Sequence, residues 1–299
     1  MRKRLFPLSI AGALYWAMSG SAQQLPHHDL LLFSLNQRPD SLWHPFAPRF
    51  LTAFNPKGYN NQPSFFSPYE LYLTVQLPTD TQQTDIYALD LLLNTLTRVT
   101  QTTTAEYSPA RMPDGQHFSV VRVESDGSQR LWALPIDRQG QGYPLLPLVQ
   151  KVGYYCWLRD TLLALFLVSE EDRHALAIAH TQEARLYRIA TSIGRCLQKT
   201  PDGQLAFVQR VPDQNALLKV YDLNRQVAQT VIPLPSGTED FALLPDGTYL
   251  AADGSRLVQF HPRRHRTWAE TADLSTYGVQ RASRIAISPE GRLMVVVVQ

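Results

Sequence analysis

A turn motif recurs along this chain at a nearly constant interval. Four copies have a Pro-Asp-Gly or Pro-Glu-Gly core, at residues 113–115, 201–203, 245–247 and 289–291, and spacing alone places two degenerate copies at 67–70 and 158–161. The second residues of the six copies lie 45, 46, 42, 44 and 44 positions apart. Proline restricts φ, the acidic side chain bonds its own backbone and glycine accepts a positive φ, so the core is turn chemistry. The motif divides the chain into six similar units.

Short runs of β-type residues follow each turn, for example Phe118–Val123 and Leu205–Val208. A second run comes later in the unit, as in Leu217–Asp222. A unit of about 44 residues with four short strands is the signature of a propeller blade. The Ala-rich stretch 174–190 also fits an amphipathic helix, but its place in the third unit favours two strands. We therefore predict an all-β fold, a six-bladed β-propeller with blades near residues 62–100, 107–147, 152–190, 194–234, 238–274 and 278–299.

The sixth unit stops at Gln299 after only two predicted strands. Residues 29–35 resemble the third-strand runs of the other units, and residues 50–53 could supply an outer strand. We predict that residues 28–54 complete this blade, which closes the ring and hides its edges. An independent cap formed by residues 29–53 is the alternative. Trp43 is placed in a loop between these N-terminal strands, where it covers a blade edge or marks a contact surface.

The first 22 residues have the pattern of a secretory signal peptide. Three basic residues precede the 14-residue apolar run Leu5–Met18. Small residues then occupy the positions before a predicted cleavage site after Ala22. The run is shorter than the roughly 20 residues that span a bilayer, although an uncleaved N-terminal anchor is the alternative. We therefore expect residues 23–299 to form a single exported propeller domain with no transmembrane segment.

Composition excludes several classes of protein. The whole chain has 28 basic and 26 acidic residues, and the predicted signal holds three of the basic ones, so the mature charge is −1. A near-neutral chain gives no electrostatic reason to expect a nucleic-acid partner. Hydrophobic residues at 44% and charged residues at 18% are typical of a globular domain. Cys156 and Cys196 are 40 positions apart, and the sequence leaves open whether they form a disulfide.

Several motifs resemble those of a known family. The segments Asn60–Phe65, Thr84–Asp90, Thr97–Thr100, Glu106–Pro109 and Met112–Gly115 look like the repeats of TolB-type propellers, often called WD-like β-propeller repeats. The match is close over residues 60–137 and periodic over the rest. It implies a six-bladed propeller in the periplasm of a Gram-negative bacterium. That family also has an α/β domain before the propeller, which we do not expect in this chain because its first predicted strand starts near Asp29.

The repeat also predicts a site. The segment before each turn is the innermost strand of a blade, so the residues five to seven positions before the second turn residue should meet at one mouth of the central channel. Charged and aromatic groups on a rigid cavity suit ligand binding. Salt bridges that lock neighbouring blades are the alternative. The candidate residues are Asn61, Glu106, Tyr107, Tyr154, Arg195, Glu239, Asp240 and Arg284.

No enzyme motif is present in the sequence: G-x-S-x-G, H-E-x-x-H and the phosphate-binding glycine patterns are all missing. His261 and His265 are interpreted as part of an exposed turn, and the pair His27-His28 as a flexible start. A lactonase-like hydrolase is the enzymatic alternative. Its Ca²⁺ would be held by oxygens of Asn61, Glu106, Glu239 and Asp240, which Arg195 and Arg284 would oppose.

These observations predict a non-catalytic, periplasmic or secreted propeller. We expect a monomer without a cofactor that binds a protein, a peptide or a small acidic or polar ligand at the channel mouth, with its partner in the cell envelope. A purely structural role in the envelope is the other alternative.

Overall fold

The computed structural model describes residues 25–38, 42–81, 83–183 and 185–299. The predicted signal peptide lies outside the described residues. The strands follow one another in this order: β1 (Asp29–Gln37), β2 (Trp43–Phe50), β3 (Tyr59–Ser67), β4 (Glu70–Gln76), β5 (Asp85–Asp90), β6 (Thr95–Arg98), β7 (Ala105–Arg111), β8 (His117–Val123), β9 (Gln129–Pro135), β10 (Tyr143–Pro144), β11 (Val152–Arg159), β12 (Leu162–Leu167), β13 (Ala175–His180), β14 (Arg185–Thr191), β15 (Ile193–Lys199), β16 (Leu205–Gln209), β17 (Leu217–Asp222), β18 (Val227–Pro233), β19 (Phe241–Leu243), β20 (Tyr249–Asp253), β21 (Arg256–Phe260), β22 (Ala269–Asp273), β23 (Ala282–Ile287) and β24 (Leu293–Val298). Among the described residues, two short 3₁₀ helices, Glu170–Asp172 and Leu274–Tyr277, lie between strands.

The strands form six four-stranded antiparallel sheets, which are the blades of a β-propeller. Blades 1 to 5 are β3–β6, β7–β10, β11–β14, β15–β18 and β19–β22, and blade 6 has the order β2-β1-β24-β23. Each blade contacts the next, and blade 6 contacts blade 1, so the ring is closed. The predicted fold class is confirmed.

The core is divided among the gaps between blades. Six apolar clusters of buried residues occur, one in each gap. Strand β24 shows why: Val296 faces blade 5, whereas Val295 and Val297 face blade 1. Because side chains alternate along a strand, a blade that is covered on both faces needs a nearly continuous apolar run, as in Leu293–Val298.

Both ends of the chain build blade 6, as predicted. Strand β1 pairs with β24, with Leu31 opposite Val296, and β2 pairs with the free edge of β1. The position of the outer strand was predicted wrongly: it is Trp43–Phe50, and it ends where the proposed segment 50–53 begins. Trp43 accordingly lies in a strand. Its ring packs against the cluster between blades 5 and 6, and its Nε1 donates to Asp246 Oδ2 at 3.2 Å.

The turn chemistry explains the repeat. Gly115, Gly203, Gly247 and Gly291 each follow a blade's innermost strand and have φ values of 69°, 81°, 88° and 70°. Only glycine adopts this left-handed conformation without a steric cost, so the motif marks the turn from the first strand to the second in blades 2, 4, 5 and 6. The Ala-rich stretch forms the hairpin of β13 and β14, as the repeat predicted.

The two cysteines are free thiols, which answers the question that the sequence left open. Cys196 Sγ donates to the backbone oxygen of Phe241 at 3.2 Å. Burial raises the pKa of both thiols to about 12, so they are protonated at neutral pH. In the part of the chain that the structure describes, no helix is long and apolar enough to cross a membrane.

Candidate functional site at the channel mouth

The innermost strands β3, β7, β11, β15, β19 and β23 surround the channel. Their side chains point to the two faces of each sheet, and neighbouring blades cover those faces. Only residues near the entry of these strands can therefore extend over the channel mouth. The candidate residues lie at these entries, but they divide into groups with different surroundings.

One pair spans the channel. Arg284 is on β23 of blade 6 and Tyr154 is on β11 of blade 3, so the two residues come from opposite sides of the ring. Arg284 Nη2 donates to the Tyr154 hydroxyl at 3.0 Å, and its guanidinium carbon lies 5.0 Å from the ring centre. Among the described residues, no carboxylate forms an ion pair with Arg284.

A second pair joins blades 4 and 5. Arg195 Nε donates to both carboxylate oxygens of Asp240, at 3.1 and 3.2 Å, and its Nη2 also donates to Oδ2. Asp240 is only 6% exposed. Burial alone would raise its pKa, but the charges of Arg195 and Arg284 outweigh this effect and hold the pKa below its usual value. Asp240 therefore stays ionised.

Glu239 forms a similar clamp across the same gap. Arg210, which follows β16, donates from Nε to Oε1 at 2.7 Å and from Nη2 to Oε2 at 3.0 Å. Arg210 was not among the predicted residues, because it follows the second strand of its blade. Both clamps match the alternative in which salt bridges lock neighbouring blades.

Glu106 and Tyr107 are neighbours on β7 but contact different groups. Glu106 is fully buried, and its Oε1 accepts from Arg122 Nε at 3.1 Å and from the hydroxyls of Thr102 and Thr104. Burial is the main cause of its raised pKa. Tyr107 packs against the cluster between blades 2 and 3, and burial, helped by the nearby Tyr154, raises its pKa.

Asn61 lies on β3 of blade 1, and His28 lies between blades 6 and 1, where it contacts Tyr59 and Gln299. Asn61 is buried, and its Oδ1 accepts from the backbone nitrogen of Gln62 at 2.7 Å. His28 was wrongly interpreted as part of a flexible start: it is 8% exposed and packs edge-on against Tyr59. Burial, followed by the charges of nearby arginines that include Arg284, lowers its pKa to about 4. Its position depends on long-range packing, which local sequence does not reveal.

The four oxygen-bearing residues considered for Ca²⁺ do not converge. Glu106 bonds to Arg122, Glu239 to Arg210 and Asp240 to Arg195, so each carboxylate is already paired with a different arginine. Within residues 25–38, 42–81, 83–183 and 185–299, no group of three or more acidic, His or Cys side chains is arranged to hold a metal ion.

Known proteins resemble this chain in structure rather than in sequence. No protein-family model and no curated protein matches it. A solved structure of TolB from Acinetobacter baumannii is 13% identical with a TM-score of 0.57, over 91% of this chain and 64% of that one. This chain thus spans less than two thirds of that TolB.

Two further solved structures are similar over most of both chains. A TolB-type protein from Agrobacterium tumefaciens has 12% identity and a TM-score of 0.65, over 91% of this chain and 97% of that one. A gluconolactonase-type protein has 12% identity and a TM-score of 0.57, over 81% and 88%. Similarity at such low identity concerns the fold. The resemblance to TolB-type propellers that the sequence indicated is thus confirmed at the level of the fold.

Proposed function

We propose that this protein is an exported, non-catalytic propeller whose channel mouth binds an acidic group of a protein or peptide partner in the cell envelope. The observation that carries the proposal is Arg284, which is held over the channel by Tyr154 from the opposite blade. The signal-peptide pattern of residues 1–22 supports export to the periplasm.

The electrostatics at this mouth favour an anionic ligand. Arg195, Arg284 and Arg281 all act on the Asp240 carboxylate and lower its pKa, so their positive charges are concentrated around one acid. Asp240 is already bonded to Arg195 through both of its oxygens, which leaves Arg284 with a phenol as its hydrogen-bond partner. A guanidinium forms its strongest hydrogen bonds in a bidentate pair with a carboxylate.

The rest of the mouth serves as a rigid frame. The clamps Arg195–Asp240 and Arg210–Glu239 connect blades 4 and 5 on one side of Arg284. A site whose walls are fixed before binding loses little conformational entropy when the ligand arrives. An aspartate, a glutamate or a terminal carboxylate of a partner could then replace the Tyr154 hydroxyl as the ligand of Arg284.

Affinity capture from envelope extract tests this proposal. Purified protein is immobilised, and captured partners are compared between the wild type, Arg284→Gln and the surface control Arg185→Gln, whose side chain is 78% exposed. We expect Arg284→Gln to lose partners that the wild type and the control retain. If correctly folded Arg284→Gln captures the same partners as the wild type, the proposal is wrong. A purely structural role predicts a lower melting temperature with an unchanged set of partners.

A further inference from the structure

A cleft of about 690 Å³ lies between blades 1 and 2, away from the channel mouth. The outer strand of blade 2, β10, has only two residues, whereas the outer strands of the other blades have four to eight. Arg138, Gly140 and Gln141, which precede β10, line one part of the cleft, and the threonine-rich segment 100–104 lines another. Phe118, Trp132 and Leu134 contribute an aromatic and apolar wall.

Arg122 is the unusual group in this cleft. It lines the cleft although it is only 8% exposed. Its Nε donates to Glu106 at 3.1 Å and its guanidinium carbon lies 4.2 Å from the ring centre of Trp132. Its two terminal amino groups have no hydrogen-bond partner among the described residues. Because these donors face the open cleft, an occupant that accepts hydrogen bonds can bind them directly.

A second arginine in the repeat provides a comparison. Arg122 and Arg210 both lie nine positions after the second residue of their turn motifs. Arg210 uses Nε and Nη2 together on the carboxylate of Glu239. Arg122 uses only Nε on its glutamate. Arg210 thus binds a glutamate of the next blade through two nitrogens, whereas Arg122 binds a glutamate of its own blade through one.

The charges around the cleft favour an anion. Glu106 already accepts from Thr102, Thr104 and Arg122 through one oxygen, and burial raises its pKa. The carboxylate of Glu124 is bonded to Trp132 Nε1 at 2.8 Å and to Arg130. Glu124 is therefore paired through both of its oxygens, whereas Oε2 of Glu106 is buried and has no hydrogen-bond partner in the described part of the chain.

The cleft wall carries a second guanidinium as well. Arg138 lines the cleft near the start of β10. The wall between the two arginines is rich in hydroxyl and amide groups, from Thr102, Thr103 and Gln141. These groups can bind the hydroxyls of a ligand whose acidic group reaches a guanidinium.

We propose that this cleft is a second binding site, for a small hydroxylated molecule that carries a carboxylate or a phosphate, such as an acidic sugar. The terminal amino groups of Arg122 bind the oxyanion as a fork, which matches the geometry of both groups. The threonine hydroxyls bind the ligand's hydroxyls, and Phe118 and Leu134 contact its apolar faces. The site is independent of the channel mouth.

Calorimetric titrations of the full chain test this proposal with glucuronate, glucose 6-phosphate and neutral glucose. We expect at least one acid to bind at least tenfold more tightly than glucose, and the two acids show whether carboxylate or phosphate is preferred. Arg122→Lys retains the charge but not the fork, so it should weaken that binding at least tenfold. The control Arg185→Gln should bind like the wild type.

A second variant covers the case in which Arg122→Lys fails to fold. Thr103 is exposed on the cleft wall, so Thr103→Trp should fill the cleft and abolish binding while the fold is kept. The proposal is overturned if neither acid binds at millimolar concentration or if glucose binds as tightly as the acids. Unchanged affinity in folded Arg122→Lys or Thr103→Trp would overturn it as well.

Discussion

Replacing Arg195 by methionine should destabilise the protein strongly at neutral pH. Methionine retains most of the side-chain length, so the main loss is the charge that neutralises Asp240. Asp240 is 6% exposed, and its carboxylate accepts hydrogen bonds from both Nε and Nη2 of Arg195. Removing one partner of a buried ion pair lowers the free energy of unfolding by about 3–5 kcal/mol. Arg284 and Arg281 still act on Asp240, so we expect the lower end, about 3 kcal/mol, or roughly 6–12 °C in melting temperature.

The pH dependence distinguishes this mechanism from a loss of packing. In the wild type the pKa of Asp240 is depressed, so its contribution to stability is present at neutral pH and is lost as the pH falls through that pKa. Without Arg195, burial dominates and the pKa of Asp240 rises. Asp240 can then take up a proton as the pH is lowered. The difference in melting temperature between Arg195→Met and the wild type should therefore be larger at pH 7.5 than at pH 4.5.

Differential scanning calorimetry at the two pH values measures the effect. The double variant Arg195→Met/Asp240→Asn removes the uncompensated charge, so it should be more stable at pH 7.5 than Arg195→Met alone. A loss below about 1 kcal/mol for Arg195→Met, or a double variant that is less stable than the single one, would refute the reasoning.

Three further perturbations follow from the packing. Gly291→Ala should lower the melting temperature more than Gly115→Ala does. Both glycines have a positive φ near 70°, but a Cβ on Gly291 would lie 2.7 Å from Pro245 in the neighbouring turn. Equal losses of about 1 kcal/mol would contradict this. Leu165→Ala, in the core between blades 2 and 3, should cost about 3 kcal/mol in urea unfolding, whereas Leu148→Ala, at 95% exposure, should change stability by less than about 0.5 kcal/mol; similar costs for both would argue against this core. His28 has a pKa of about 4 because it is buried, so the unfolded chain binds the proton first and wild-type stability should fall as the pH drops from 7 to 5; His28→Gln should show a smaller fall, and parallel pH profiles would show that His28 is not the cause.

The fold could be predicted because its main signal is local. The turns at Gly115, Gly203, Gly247 and Gly291 need a positive φ. Each of them therefore has the same Pro-Asp-Gly or Pro-Glu-Gly motif in the sequence. Strand β2 was misplaced for the opposite reason. Most of its residues are exposed and two of its eight are prolines, so the strand lacks the alternation that marks a half-buried strand.

The candidate site was predicted only in part. Repeat position correctly placed Tyr154 and Arg284 at the entries of innermost strands, and the structure brings them together across the ring. Repeat position could not identify the arginine partners, because Arg122 lies in the second strand of its blade and Arg210 directly follows one. Successive side chains of a strand point to opposite faces of the sheet. A register shift in β7 between Tyr107 and Ala110 interrupts this alternation, and the sequence does not reveal the shift.

The pairing of β1 with β24 also imposes an order on folding. Leu31 and Val296 are partners in the sheet although 265 positions separate them in the chain. Blades 1 to 5 can each form from a contiguous stretch of about 40 residues, but blade 6 must wait until both ends of the chain have met. Contacts at such sequence separation form slowly, because the entropy of closing the loop is lost before any contact is gained. We infer that the apolar edge of β24 stays exposed longest during folding, which makes ring closure the step most vulnerable to aggregation.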